Sequence, residues 1–310
     1  MNNHQASFRT SHFFFLVLLL FIVLFNLGAC ASMPSDTFSE TSKDDLASEG
    51  YSELNEKPAE PESGSTEPES VQVLPYIGLY GGTGSWDINV EAFGNFFEHY
   101  GYQWSVINEE DLQGADLAEL YDLIWFPGGF AAEYKYAAIN HDSLVQFVND
   151  GGMFIGSCAG AYYASAILSW YGDDFSYPLQ LFPGKAVGPL SGQIGWGEIA
   201  ELDLSEEFQF NSSFLAPLPV YYFDGPYFEP FEDNHSENEL YDEFTVLARY
   251  SINNQPAVVA GRNNQGKHLL FGPHPEIGGY SASDPSFNLT GGEGAQWEWL
   301  QNLLTWFIQW

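Results

Sequence analysis

Apolar and polar positions along residues 71–168 repeat first with the spacing of a strand and then with that of a helix. Short apolar runs alternate with segments in which apolar residues recur every three or four positions. The predicted strands are Val71–Tyr80, Tyr102–Ile107, Tyr121–Phe126 and Gly152–Ser157, and the predicted helices are Ile88–Tyr100, His141–Asn149 and Ala159–Leu168. This alternation predicts an α/β fold with a doubly wound, mostly parallel sheet flanked by helices.

The pattern changes after residue 185, where short strands predominate. They are predicted at Ile199–Leu202, Val220–Phe223, Phe244–Tyr250, Ala257–Ala260 and His268–Phe271. A closing helix follows, because one helical face collects Trp297, Leu300, Leu303, Leu304, Phe307 and Trp310. The C-terminal half is therefore expected to contribute extra short strands and a last helix that packs on the sheet.

The chain is expected to begin with a secretory signal peptide, residues 1–29. Its apolar run, Phe13–Leu27, is about 15 residues long and falls short of the ~20 that span a bilayer comfortably. Residues 30–70 are rich in Ser, Glu, Pro, Thr and Asp, and they predict an acidic, disordered tether. The folded domain is expected to cover residues 71–310.

Cys30 closes the segment Leu27-Gly28-Ala29-Cys30, which resembles a bacterial lipobox. The resemblance implies acylation of Cys30 and a lipid anchor in the cell envelope. Ala31 rather than Asp follows, which by resemblance to lipoprotein sorting favours the outer membrane, with the protein facing the periplasm or the surface. An ordinary signal peptide with an incidental cysteine and a retained membrane anchor are the alternatives.

Charge, cysteine content and the lack of ligand motifs argue against nucleic acid, a disulfide framework, a metal and a cofactor. The 310 residues include 8 Lys plus Arg against 42 Asp plus Glu, a net charge of −34 that repels phosphate backbones and argues against nucleic acid. The two cysteines exclude a disulfide framework. No His/Cys/Asp cluster has zinc spacing, and no cofactor motif is complete, so neither a metal nor a cofactor is expected.

Cys158 is the candidate nucleophile. Gly156-Ser157-Cys158-Ala159-Gly160 lies between a predicted strand and a predicted helix, as a nucleophile elbow does, with Cys in place of Ser. Such a turn projects its central side chain at the edge of the sheet. The first turn of the following helix would favour a thiolate there. The alternative is a small, buried core cysteine.

His274 and Glu276 are the candidate base and orienting acid. They follow the last predicted strand, and residues two apart in an extended segment project to the same side. His99 and His268 are the nearest competitors, and neither has an acid two positions later. A structural loop histidine is the alternative.

Candidate oxyanion donors are the backbone N–H groups of Gly128 and Gly129, in the segment after a predicted strand, and of Ala159, which follows the nucleophile. A plain turn is the alternative for Pro127-Gly128-Gly129. Gly82 and Thr83, in a glycine-rich loop, are expected to border the pocket. An aromatic recognition surface is expected from Tyr162, Tyr222 and Tyr227, with ordinary core packing as the alternative.

Four segments together resemble the biotin-protein ligase N-terminal domain family, within the class I glutamine amidotransferase-like superfamily. They are Trp125–Gly129, Gly156–Tyr162, Val220–Phe228 and Gly272–Glu276, in a region spanning about residues 73–310. The resemblance implies a flavodoxin-like fold, Cys158 as nucleophile, His274 as base and Glu276 as third member. The biotin-transferring domain of such ligases is missing, so no ligase activity is expected.

The leading hypothesis is a lipid-anchored, cysteine-dependent hydrolase or amidase that acts on an amide or other acyl bond in a small molecule or peptide. A non-catalytic lipoprotein that binds a small molecule or peptide in the same pocket is the alternative. A third hypothesis is a structural envelope component with an inherited scaffold.

Overall fold

The computed structural model describes residues 74–114, 116–209, 217–231, 244–279, 287–291 and 294–310. The predicted signal peptide, the lipidation site at Cys30 and the predicted tether lie outside these residues and stay predictions. Among the helices in the described ranges, none has both the length and the apolar character needed to cross a bilayer.

Strands and helices follow one another along the described chain. The strands are β1 (Tyr76–Tyr80), β2 (Gln103–Ile107), β3 (Leu123–Phe126), β4 (Met153–Ser157), β5 (Ser165–Trp170), β6 (Asp173–Ser176), β7 (Phe182–Gly188), β8 (Glu198–Leu204), β9 (Leu218–Tyr222), β10 (Tyr227–Pro230), β11 (Phe244–Tyr250), β12 (Pro256–Asn263) and β13 (Gly266–Phe271). The helices are α1 (Asp87–Tyr100), α2 (Leu117–Leu120), α3 (Ala131–Tyr136), α4 (His141–Asn149), α5 (Ala159–Ala164) and α6 (Trp297–Gln309).

The central sheet contains nine of these strands in the order β2-β1-β3-β4-β13-β12-β11-β8-β9. The first five are mutually parallel, and the remaining four pair antiparallel. The predicted α/β fold with a large parallel portion is confirmed. The predicted extra strands of the C-terminal half form its antiparallel extension.

Both faces of the sheet are covered, as a doubly wound fold requires. Strand β3 shows how, because its side chains alternate between two separate hydrophobic clusters. Leu123 and Trp125 join the cluster that contains the apolar faces of α1 and α6. Ile124 and Phe126 join the cluster that contains α4 and α5. All four side chains are fully buried, so this strand lies at the centre of the core.

One predicted element is wrong in part. The helix expected over Ala159–Leu168 ends at Ala164, and the chain continues as β5 from Ser165. Ser165 already has extended backbone angles, and its hydroxyl donates to the carbonyl of Ala161 at 2.9 Å, closing the last turn. Strand β5 belongs to a second, four-stranded sheet in the order β10-β7-β5-β6. A short apolar run suits both a buried helix and a strand, so periodicity could not separate them here.

The carboxyl ends of β1, β3, β4 and β13 meet at one edge of the parallel portion, where α/β folds place their ligands. The loops after these strands carry the glycine-rich segment, Pro127-Gly128-Gly129, the cysteine elbow and the His-Pro-Glu segment. The fold therefore brings the candidate residues to a single edge.

Candidate functional site

Cys158 stands on a sharp turn between β4 and α5. Its backbone angles, φ 49° and ψ −102°, are strained for a residue with a side chain. Hydrogen bonds on both sides fix the turn: the Cys158 N–H donates to the Phe271 carbonyl at 2.8 Å, and the Cys158 carbonyl accepts from the Tyr162 N–H at 3.0 Å. The predicted elbow conformation is thus present, although α5 has only six residues.

The elbow needs small residues because the backbone of α5 lies close to the backbone at the end of β3. A Cβ atom on Gly160 would collide with the Phe126 carbonyl, and the Gly160 N–H donates to the Pro127 carbonyl at 3.2 Å. Ser157 ties the turn to β3, since its hydroxyl accepts from the indole N–H of Trp125 at 3.1 Å. Helix α5 can therefore sit directly against the end of β3.

His274 and Glu276 form a fully buried pair. Nδ1 of His274 lies 2.8 Å from Oε1 of Glu276, and both side chains have zero exposure. Asn89 on α1, also fully buried, donates its amide N–H to the same Oε1 at 2.6 Å. Its Nδ2 lies 3.2 Å from Nδ1 of His274. The carboxylate is therefore held from two sides, and the second ring nitrogen of His274 stays available.

The electrostatics of this pair favour a charged imidazole. Burial lowers the pKa of His274, but the charges of Glu276 and Cys158 and the hydrogen bond to Glu276 outweigh it and raise the pKa to about 10. Nε2 of His274 has no hydrogen-bond partner among the described residues, although Cys158 lies close enough to affect this pKa. The site therefore combines the Cys158 thiol with an imidazole that Glu276 orients through Nδ1. Its Nε2, the nitrogen available for proton transfer, carries no hydrogen bond to a described residue.

The candidate oxyanion donors lie in the segment that follows β3 and at the residue that follows Cys158. No hydrogen bond within the described residues uses the N–H of Gly128, Gly129 or Ala159. Gly128 packs so closely that a Cβ atom there would lie 2.6 Å from both Cε1 of His274 and Oδ1 of Asn89. Its carbonyl accepts from the Trp86 N–H at 3.0 Å, which fixes the segment.

Residues 223–226 form a loop that lies over the sulfur. The thiol of Cys158 donates to the Phe223 carbonyl at 3.5 Å. Three buried tyrosine hydroxyls donate to the next three carbonyls at 2.9–3.0 Å: Tyr162 to Asp224, Tyr222 to Gly225 and Tyr250 to Pro226. Burial raises the pKa of each of these tyrosines, so they stay protonated donors. We call Tyr162, Tyr222 and Tyr250 the tyrosine clamp.

Three aromatic side chains, Trp86, Trp196 and Phe223, stand beside the catalytic candidates, and we call them the aromatic wall. Their ring centroids are 6.1, 5.9 and 4.8 Å apart in edge-to-face contacts, and the Phe223 ring lies 5.3 Å from that of His274. Cys158 is only 6% exposed. Two surface cavities of about 330 and 460 Å³ lie against α1, and neither is lined by Cys158 or His274.

The remaining predicted pocket residues lie in two places. Thr83 and Gly82 belong to a loop built around Glu109, whose Oε1 accepts from the Thr83 N–H at 2.8 Å and the Tyr80 hydroxyl at 2.9 Å. Burial opposes ionisation of Glu109, but these hydrogen bonds lower its pKa to about 2. Tyr227 lies in β10, where its hydroxyl donates to Glu229. The described contacts of Tyr227 do not include Cys158 or His274.

The competing histidines lie elsewhere. His99 is exposed at the end of α1, and His268 is buried with its Nδ1 2.6 Å from Oδ1 of Asn263. Burial lowers the pKa of His268 to about 3, so it stays neutral. Among the described residues no cluster of His, Cys, Asp and Glu could hold a metal ion.

Sequence reasoning missed two residues that position Glu276. Asn89 carries no motif and looks like any polar position on a helix. Trp297, the first residue of α6, donates its indole N–H to the Glu276 carbonyl at 2.9 Å, and the neighbouring Gln296 N–H donates to the Pro275 carbonyl. A polar residue on the otherwise buried face of α1 was the available signal for Asn89, and none existed for Trp297.

Comparisons with known proteins identify the family to which the chain is similar. A family model described as "Biotin-protein ligase, N terminal" matches residues 71–291. An uncharacterized protein of Chlamydia muridarum (strain MoPn / Nigg) is 29% identical over 167 residues, which cover 51% of this chain and 61% of that protein. A biotin–protein ligase of Schizosaccharomyces pombe is 27% identical over 178 residues, 50% of this chain and 25% of the ligase. The chain thus spans less than two thirds of either relative.

Similarity to solved structures is lower in sequence and extends over more of the chain. A glutamine amidotransferase is 17% identical with a TM-score of 0.47, covering 75% of this chain and 97% of that one. The PurLQS structure from Thermotoga maritima is 19% identical with a TM-score of 0.48, covering 76% and 99%.

Proposed function

The chain belongs to the biotin-protein ligase N-terminal family, and for this member we propose a cysteine-dependent hydrolase or amidase that cleaves an amide or other acyl bond. One observation carries the proposal. A buried histidine is oriented by Glu276 through Nδ1, and its other nitrogen has no hydrogen-bond partner among the described residues and lies near a cysteine on a strained elbow. This combination is what an activated thiol nucleophile requires.

The proposed reaction has two steps. His274 takes the proton of the Cys158 thiol, and the sulfur attacks the carbonyl carbon and forms a C–S bond. The N–H groups of Ala159 and Gly128 or Gly129 stabilise the oxyanion. The bond to the leaving amine or alcohol breaks as His274 donates a proton to it. A water molecule then attacks the thioester while His274 accepts its proton, which releases the acid and restores the thiol.

The proposal predicts an unusual pH profile for the reactivity of Cys158. Because the pKa of His274 is raised, its imidazolium persists from pH 6 to about 9, and the proposed mechanism requires a reactive sulfur beside it over that range. Alkylation by iodoacetamide, followed by mass spectrometry of the Cys158 peptide, should therefore stay nearly level over this range. An unperturbed thiol with a pKa of ~8.5 would instead gain about tenfold per pH unit below that value.

Variants separate the nucleophile from incidental reactivity. His274→Gln should slow alkylation at pH 7 by tenfold or more, and His99→Gln, an exposed control, should leave it unchanged. With p-nitrophenyl acetate the protein should release a stoichiometric burst of p-nitrophenolate that is absent in Cys158→Ala. If Cys158 is inert in the folded protein, or if His274→Gln alkylates as fast as the wild type, the enzyme hypothesis is wrong. The hypothesis of a non-catalytic binding protein then remains.

We further propose that the protein is anchored in the bacterial envelope by lipid on Cys30. The support is the apolar run and the resemblance of residues 27–30 to a lipobox. Metabolic labelling with an alkyne fatty acid in a bacterial host should mark the protein, and Cys30→Ser should abolish the label. An unlabelled wild-type protein would refute the anchor.

A further inference from the structure

The aromatic wall lies beside the proposed nucleophile and remains open to solvent on its outer side. Trp196 is 48% exposed and Trp86 is half-buried, whereas Phe223 is buried and touches His274 edge-on. Large exposed aromatic surface next to a reactive centre marks a place where an apolar group can be bound. The mechanism above leaves this surface unused.

The wall is fixed to both sides of the site by backbone hydrogen bonds. The Trp86 N–H donates to the Gly128 carbonyl at 3.0 Å, next to the proposed oxyanion donors. Gly197, which follows Trp196, donates its N–H to the Tyr222 carbonyl at 2.8 Å. Tyr222 directly precedes Phe223, whose carbonyl receives the thiol. Both indoles therefore have defined positions relative to the sulfur, as a specificity surface needs.

The charges available near the wall argue against an anionic substrate. Beyond residue 70 the sequence contains five Lys and Arg residues, namely Lys135, Lys185, Arg249, Arg262 and Lys267. Their described hydrogen bonds and ion pair reach the second sheet, the turn between β11 and β12, and the C-terminus. None of these contacts involves the wall or the sulfur. A substrate carboxylate would meet none of these five Lys and Arg side chains at the wall and would be repelled by the net charge of −34.

We infer that the aromatic wall binds the acyl side chain of the substrate, and that this side chain is uncharged and aromatic or bulky apolar. The inference rests on the proposed function, since it names the substrate class of the same site. An aromatic group stacked against two indoles gains contact area and edge-to-face interactions worth several-fold to tenfold in affinity. Free amino acids and dicarboxylic acyl groups are excluded by the same surface.

Three activated esters with a common leaving group test the inference on the full chain. They are p-nitrophenyl acetate, p-nitrophenyl hydrocinnamate, which is aromatic and neutral, and p-nitrophenyl succinate, which is anionic. We expect kcat/KM, or the acylation rate of Cys158, to be at least tenfold higher for hydrocinnamate than for acetate. The succinate rate should not exceed the acetate rate.

Trp196→Ala should bring the hydrocinnamate rate close to the acetate rate of the same variant, and Trp196→Phe should keep most of the preference. Phe175→Ala is the matched control, because Phe175 is 45% exposed on β6 of the second sheet. Cys158-dependent acetate turnover without preference for hydrocinnamate, or a preference that survives Trp196→Ala, overturns the inference and leaves the proposed function standing. If none of the esters acylates Cys158, the proposed function and the inference fall together.

Discussion

At the scale of single residues, the absence of a side chain at Gly128 constrains the packing of the base and of Asn89. Its Cα faces the space between His274 and Asn89, and a methyl group there would overlap both. The position therefore fixes the distance between the proposed oxyanion donors and the base. Any residue but glycine would have to displace the buried imidazole or the amide that holds Glu276.

Gly128→Ala should lower the free energy of unfolding by about 1–3 kcal/mol through overpacking and slow the alkylation of Cys158 by more than tenfold. Gly114→Ala is the control, because no atom lies within 4 Å of its Cβ position and its φ of −68° suits alanine. Urea denaturation and the pH 7 alkylation rate provide the measurements. A Gly128→Ala protein as stable and reactive as the control would contradict the packing described.

Motifs predicted the residues that define the chemistry but not the residues that hold them. Cys158, His274 and Glu276 lie in short segments whose spacing alone places them at strand ends. Asn89 reaches Glu276 from α1, 187 positions earlier in the chain, and no local pattern encodes such a contact. The positioning role of Asn89 follows only from the packing of α1 against the edge of the sheet.

At the scale of elements, the loop over the sulfur depends on the tyrosine clamp. Its hydroxyls come from α5, β9 and β11, so three elements converge on successive carbonyls. Tyr222 has a second bond, because its oxygen accepts from the Leu190 N–H at 2.7 Å. The clamp thereby holds the loop whose Phe223 carbonyl accepts from the thiol of Cys158.

Tyr222→Phe should destabilise the protein by roughly 1–3 kcal/mol for each backbone group left unpaired, here the Gly225 carbonyl and the Leu190 N–H. Tyr136→Phe, at a tyrosine that is 79% exposed, should change stability by less than about 0.5 kcal/mol. The urea midpoints of the two variants give the comparison. Equal midpoints would show that the clamp contributes nothing to folding.

Elements with a clear period were predictable, and elements that depend on distant partners were not. Helix α4 matches its predicted bounds, because Leu144, Phe147 and Val148 mark one buried face. Residues 165–168 of strand β5 were predicted as the end of a helix, since the extended form of β5 is set by parallel pairing with β7, which lies further along the chain. Local sequence carries no record of that pairing.

At the scale of the whole molecule, the excess of acidic residues lowers the stability of the folded state. The chain has 42 acidic and 8 basic residues, and its described basic side chains are mostly engaged with carbonyl oxygens. The acidic residues therefore repel one another across the surface. Self-repulsion of this kind weakens the compact state and is screened by salt.

Raising KCl from 0.05 M to 1 M should increase the melting temperature, because the screening length falls to about 3 Å at 1 M. Glucose at matched osmolality is the control that separates charge screening from solute exclusion. Scanning calorimetry at pH 7 measures both series. A melting temperature that stays flat or falls in KCl would show that repulsion among the acidic residues is already balanced within the fold.

Because β13 lies beside β4 in the sheet but far from it in the sequence, the parts of the site are synthesised at different times. Strand β4 reaches the elbow early, but the acceptor of the Cys158 N–H, the Phe271 carbonyl, and the base that follows it arrive about 110 residues later. At synthesis rates of ~5–20 residues per second, that delay is roughly 6–20 s. For this interval the growing chain carries Cys158 without the loop of residues 223–226 that covers the sulfur and without His274. During synthesis the thiol is therefore more accessible to oxidants than in the folded protein.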